Sequence, residues 1–97
     1  MIEIDRESIT PMYLQLASVL RERIRHGVIP VGRRIPSHYE LEEETGGAVS
    51  RRTSKSAIEV LAAEGIVQGV QGKGVFVIAK PGVVQSADGP GGSETVG

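Results

Sequence analysis

Ser50, Arg51, Arg52, Thr53 and Lys55 gather hydroxyls and cations into one short stretch, and no other part of the sequence is as well suited to an anionic partner. Arginine can donate two parallel hydrogen bonds to guanine O6 and N7, which discriminates against a wrong base by about 1–3 kcal/mol. Serine and threonine hydroxyls, with the free amides of a helix N-terminus, can hold a phosphate. If the stretch is helical, Lys55 lies one turn beyond Arg51 and on its face. The competing reading is that Ser50 serves only as a cap with the cations solvated, but a cap does not require three cations behind it.

A second cationic point is Lys73, which follows Gln71 and Gly72 and precedes Gly74. Glycines on both sides let a backbone come close to a groove while the ammonium meets a phosphate. The same residue could be no more than a soluble hairpin tip. Arg33 and Arg34 divide in the same way, one reaching a phosphate backbone and the other solvated.

Other chemistries have little support. The chain has no cysteine and two histidines, His26 and His38, which removes disulfides, zinc-thiolate sites and thiol nucleophiles. Glu40, Glu42, Glu43 and Glu44 point in different directions on a short helix, so they read as a solvated face rather than a metal site; beside a polyanion they would penalise misaligned docking. No nucleophile–base pair and no phosphate loop is evident, so neither an enzyme nor a cofactor is expected.

The elements that must position these residues follow from periodicity and capping. Pro11 precedes Met12, Tyr13, Leu16, Ala17, Leu20 and Ile24, an apolar set at helical spacing that ends in arginines before Gly27. This predicts a first helix over about residues 11–26. Pro30, Gly32 and Pro36 leave room only for a turn and a very short strand at Arg33, Arg34 and Ile35. Ser37 with Glu40 forms a capping box for a short second helix ending near Thr45, with Leu41 turned inward. Gly46, Gly47 and Ala48 make a flexible turn, and Ser50 caps a third helix, about residues 50–64, whose buried stripe is Ala57, Ile58, Leu61 and Ala62. Two apolar runs, 66–70 and 75–79, joined by Gln71, Gly72, Lys73 and Gly74, predict a β-hairpin.

With 97 residues, one domain with a light aliphatic core is expected. The net charge of −1 argues against indiscriminate coating of nucleic acid, so the placement of charge matters more than its sum. No run approaches the roughly 20 apolar residues of a membrane span and the start is acidic where a signal peptide is basic, so a cytoplasmic protein with no membrane role is expected. The chain divides into a loosely held N-terminal arm (1–10), the folded domain (11–79) and a glycine- and serine-rich linker or tail (80–97) expected to be disordered.

In order, these elements predict an α+β winged helix-turn-helix: three helices with a short strand and a C-terminal β-hairpin wing. In such a domain helix three enters the major groove and the wing touches the flanking backbone or minor groove. The motifs Pro11-Met12-Tyr13, Arg21-Glu22-Arg23-Ile24, Ile35-Pro36-Ser37, Val49-Ser50-Arg51-Arg52-Thr53, Ala63-Glu64-Gly65 and Gln71-Gly72-Lys73-Gly74-Val75-Phe76-Val77 resemble the N-terminal domain of the GntR family of bacterial repressors. That resemblance implies binding to double-stranded DNA as a homodimer on a palindromic operator, usually with a C-terminal domain that takes a small metabolite. It carries the DNA contacts to Ser50, Arg51, Arg52, Thr53 and Lys55 and to the wing residues Gln71, Gly72 and Lys73. Apart from the resemblance, Arg34 is counted with them as the one of the two adjacent arginines that reaches the phosphate backbone.

Two departures stand out. Where the family carries an arginine in the first turn of the second helix, this sequence has Tyr39, which can bond a phosphate through its hydroxyl but has no charge. The turn before the third helix is also longer, Gly47 and Ala48 being the extra residues. The 97 residues leave no room for an effector domain, so the chain is expected to be either a piece cut in the linker or a minimal regulator, monomeric in solution and dimeric on DNA. The competing reading is a winged-helix protein-interaction module that does not touch DNA, favoured by the near-zero net charge and Tyr39.

Overall fold

Helix α1 (Met12–Arg25) starts at Pro11, whose carbonyl accepts from the amides of Leu14 and Gln15. Proline suits that position because its missing donor would have had no partner there. Helix α2 (His38–Glu44) is held by a complete capping box: the Ser37 hydroxyl accepts from the Glu40 amide, and the Glu40 carboxylate accepts from the Ser37 amide. Helix α3 (Arg51–Ala63) begins at Ser50, whose hydroxyl accepts from the Thr53 amide at 3.1 Å. The computed structural model describes residues 2–81; the tail expected over 80–97 lies outside the described residues from 82 onward.

The hairpin consists of strands β1 (Val67–Val70) and β2 (Gly74–Val77), antiparallel with Val67 opposite Val77 and Val70 opposite Gly74. The short strand expected at 33–35 is reduced to one bridge, Arg34 opposite Phe76 on the free side of β2. Three backbone bonds sustain it, from Ile35 to Val75, from Val77 to Arg33 and from Gly32 to Val77. Pro36 has no amide with which to extend the ladder, so it stops there.

Leu16, Ala17, Leu20 and Ile24 of α1 meet Ala57 and Leu61 of α3, all at 1% exposure or less, and Leu41, Val49, Ile35, Val67 and Val77 close the core around them. The expected buried stripe of α3 is accurate for Ala57 and Leu61, whereas Ile58 is half-buried and Ala62 is exposed. Ser54, one turn from the cap, is the buried polar residue of the core among the described residues and takes that place beside Ala57.

Two further expectations are corrected. The arm is not loosely held over residues 2–5. Ile2 is buried and its amide donates to the Glu44 carbonyl, while Gln15 exchanges two side-chain hydrogen bonds with the Asp5 backbone. The apolar character of Ile2 and Ile4 supplies the anchor. Nor is the turn after α2 a loose one. Gly46 and Gly47 both have positive φ, at 64° and 83°, and their amides return to the carbonyls of Glu43 and Glu42, so the turn closes the helix end as a bonded unit.

Candidate nucleic-acid interface

The first turns of α2 and α3 come together. His38 Nδ1 lies 3.1 Å from the buried Ser54 hydroxyl, and Tyr39, the next residue, meets Arg51 at the first position of α3. Arg51 Nη2 donates to the Tyr39 phenol oxygen at 3.1 Å, and the guanidinium carbon stands 5.6 Å from the ring centroid, a cation–π arrangement. Two capped helices thus present one arginine from a fixed base. Arg52 and Lys55 are exposed on the same helix start.

Ser50 acts as a cap: its oxygen is engaged with the Thr53 amide and lies 3.1 Å from the Thr53 hydroxyl. The cap reading is therefore correct as far as it goes. It leaves the amides of Arg51 and Arg52, which no bond among the described residues engages, at the positive end of α3.

The wing turn is fixed by the Lys73 amide donating to the Val70 carbonyl at 3.0 Å, with Gly72 at φ 79° inside it. Gln71, Gly72 and Lys73 are all exposed. Arg34 belongs to this region: its stem lies against the backbone of Gly74, so near that a Cβ there would stand 2.7 Å from Arg34 Cδ. The absent side chain of Gly74 makes room for the arginine, a relation that no local sequence pattern signals because the residues meet only across the sheet.

Charge is segregated. Arg21 pairs with Glu64, Arg23 with Glu44 and Arg25 with Glu22, each at 2.6 Å. The Arg23 guanidinium holds the Glu44 carboxyl below the usual carboxylate range, and Glu64 pushes the Arg21 guanidinium further up. Glu40 is occupied by its capping box. Among the described residues Arg33, Arg34, Arg51, Arg52, Lys55 and Lys73 make no ion pair. Sequence reasoning located these cations but did not find the pairing of the α1 arginines, which joins residues up to 43 positions apart, nor the Tyr39–Arg51 contact.

The fold and this surface define a winged helix-turn-helix DNA-binding domain. The family model described as "Bacterial regulatory proteins, gntR family" matches residues 12–77, and the chain belongs to that family. It is 32% identical over 88 residues to the HTH-type transcriptional repressor NagR of Bacillus subtilis, covering 91% of this chain and 35% of NagR. YtrA from Sulfolobus acidocaldarius, a GntR-family transcription factor, superposes with a TM-score of 0.69 at 36% identity, covering 80% of each chain. AraR(DBD), solved in complex with operator ORR3, superposes with a TM-score of 0.66 at 35% identity, covering 76% of this chain and 87% of that one. The chain spans between 14% and 35% of the length of the first curated relatives it matches. Among the described residues no helix is long and apolar enough to cross a membrane.

Proposed function

We propose that this domain reads a double-stranded operator, with the start of α3 in the major groove and the wing on the flanking backbone or minor groove. Arg51 and Arg52 contact base edges, Ser50, Thr53 and Lys55 lie along the phosphates, and Tyr39 sits beside Arg51. Gln71, Gly72, Lys73 and Arg34 approach the backbone at the wing. The observation that carries this reading is the segregation of charge: carboxylates neutralise the α1 arginines, while the cations of α3 and the wing have none among the described residues. Groups left unpaired in this way are available to displace counterions from DNA, with a salt slope of about −0.9 per phosphate contact.

AraR(DBD) is similar to this chain and was solved on operator DNA, which supports double-stranded DNA as the partner. NagR is named a repressor, which supports a role in transcriptional repression. We extend the proposal to a homodimer on a palindrome, formed weakly or on DNA, acting in the cytoplasm by binding rather than catalysis. In a longer protein, a further domain would take a small effector.

Selection of bound sequences from random duplexes tests the proposal. A palindromic consensus is expected. Recovery of no preferred sequence would overturn it and favour a protein-interaction module instead. Sedimentation of the free chain should show a monomer, and a tight dimer without DNA would contradict the mode of assembly.

A further inference from the structure

The contact between Tyr39 and Arg51 joins residues 12 positions apart at the first turns of two successive helices. Both turns are fixed independently, α2 by the Ser37–Glu40 capping box and α3 by the Ser50 cap. His38 beside Tyr39 adds a bond to buried Ser54, so the two helix starts are tied at a second point. The Tyr39 ring also lies 5.6 Å from the His38 ring at a tilt of 56°, which limits where it can turn. Yet Tyr39 is 69% exposed and does not belong to the core. A large ring kept at the surface, on a rigid base, against the first arginine of α3 has little to do with folding.

We propose that Tyr39 is a positioning residue that holds Arg51 in one orientation and thereby sets sequence selectivity; this rests on the DNA-reading function proposed above. The phenol oxygen accepts from Nη2 and the ring face carries the cation, so two interactions of different geometry fix the plane of the guanidinium. A free arginine side chain loses much rotamer freedom when it docks, and a held one loses less. The gain falls on one kind of contact. A phosphate is attracted by a cation almost irrespective of its orientation, whereas the two parallel bonds to a guanine edge need the guanidinium plane in register. Fixing Arg51 therefore favours the correct base over a generic backbone.

The test uses the full 97-residue chain, a duplex selected from a random library, and a scrambled duplex of the same composition. Affinities are measured for the unsubstituted chain, Tyr39→Phe, Tyr39→Ala, Arg51→Ala and the two double variants, at several salt concentrations. The ratio of selected to scrambled affinity should fall about threefold in Tyr39→Phe, which lacks the hydroxyl, and about tenfold in Tyr39→Ala, which also lacks the ring. In the Arg51→Ala background the Tyr39 substitutions should cost no further selectivity. Equal losses on both duplexes overturn the proposal, since Tyr39 would then act on the phosphate itself; selectivity losses that persist in full without Arg51 also overturn it, since Tyr39 would then discriminate sequence through a contact of its own. Should Tyr39→Ala lower the melting temperature, the Tyr39→Phe pair alone decides. If selection yields no preferred duplex, the DNA-reading function fails; if it yields one but the two residues do not couple, only the positioning role fails.

Discussion

The arginines of α1 and those of α3 are the same residue type on two packed helices, and they do opposite things. Arg21 and Arg23 reach across to Glu64 and Glu44, joining α1 to the ends of the other two helices. Among the described residues Arg51 and Arg52 meet no carboxylate, and Arg51 is held by the Tyr39 phenol instead. A neutral acceptor can orient a guanidinium without cancelling its charge, whereas a carboxylate does both. A net charge of −1 therefore conceals a structural set of cations and an available set.

Substitutions at the two sets should separate cleanly. The largest effect is expected from Arg51→Ala, which should reduce the preference for the selected over the scrambled duplex by about 1–3 kcal/mol with thermal stability nearly unchanged. Intact discrimination in a binding titration would remove Arg51 from base reading. Lys73→Ala should weaken both duplexes alike and flatten the salt slope by about one unit, as expected for a phosphate contact. A sequence-dependent loss would instead mean that the wing reads bases.

On the structural side the effects are smaller and lie in stability. Gly74→Ala must tolerate φ 119° and displace the Arg34 stem, so we expect a loss of about 1 kcal/mol in denaturant unfolding. Glu44 has a folded-state pKa lowered by Arg23, so its contribution is fully present above the unfolded value of about 4.3 and is lost as the pH falls through the folded value below it. The pair is partly exposed, with side-chain exposures of 24% and 29%, and is therefore worth about 1 kcal/mol or less. Glu44→Gln should flatten the acid limb of the stability curve by that amount. Arg21→Gln should change DNA binding least of all. A clear loss of DNA affinity in Arg21→Gln would show that the two sets of cations are not as distinct as their pairing suggests.

Much of this is legible in the sequence because it is local. Ser37 and Glu40 sit three positions apart, as a capping box requires, and Ser50 stands before a helical stripe, so both helix starts could be read directly. The hairpin was legible from its two apolar runs and the glycines between them. The arm was misread because Ile2 and Ile4 look unremarkable among polar neighbours, and their place against the core, with the Ile2 amide on the Glu44 carbonyl at the end of α2, exists only in the fold. The strand at 33–35 was overestimated because its single bridge depends on β2, far along the chain. The role of Ser54 was missed for a similar reason: a buried serine is legible only when its partner, here His38, is known.

By itself the sequence determined the three helices, their caps, the hairpin and the positions of the cations, since each depends on residues within a turn or two of one another. Only the tertiary structure decided which cations are neutralised and which remain available. The Arg21–Glu64 and Arg23–Glu44 ion pairs and the Tyr39–Arg51 contact form between residues that the chain separates and the core brings together, so their energies depend on packing rather than spacing.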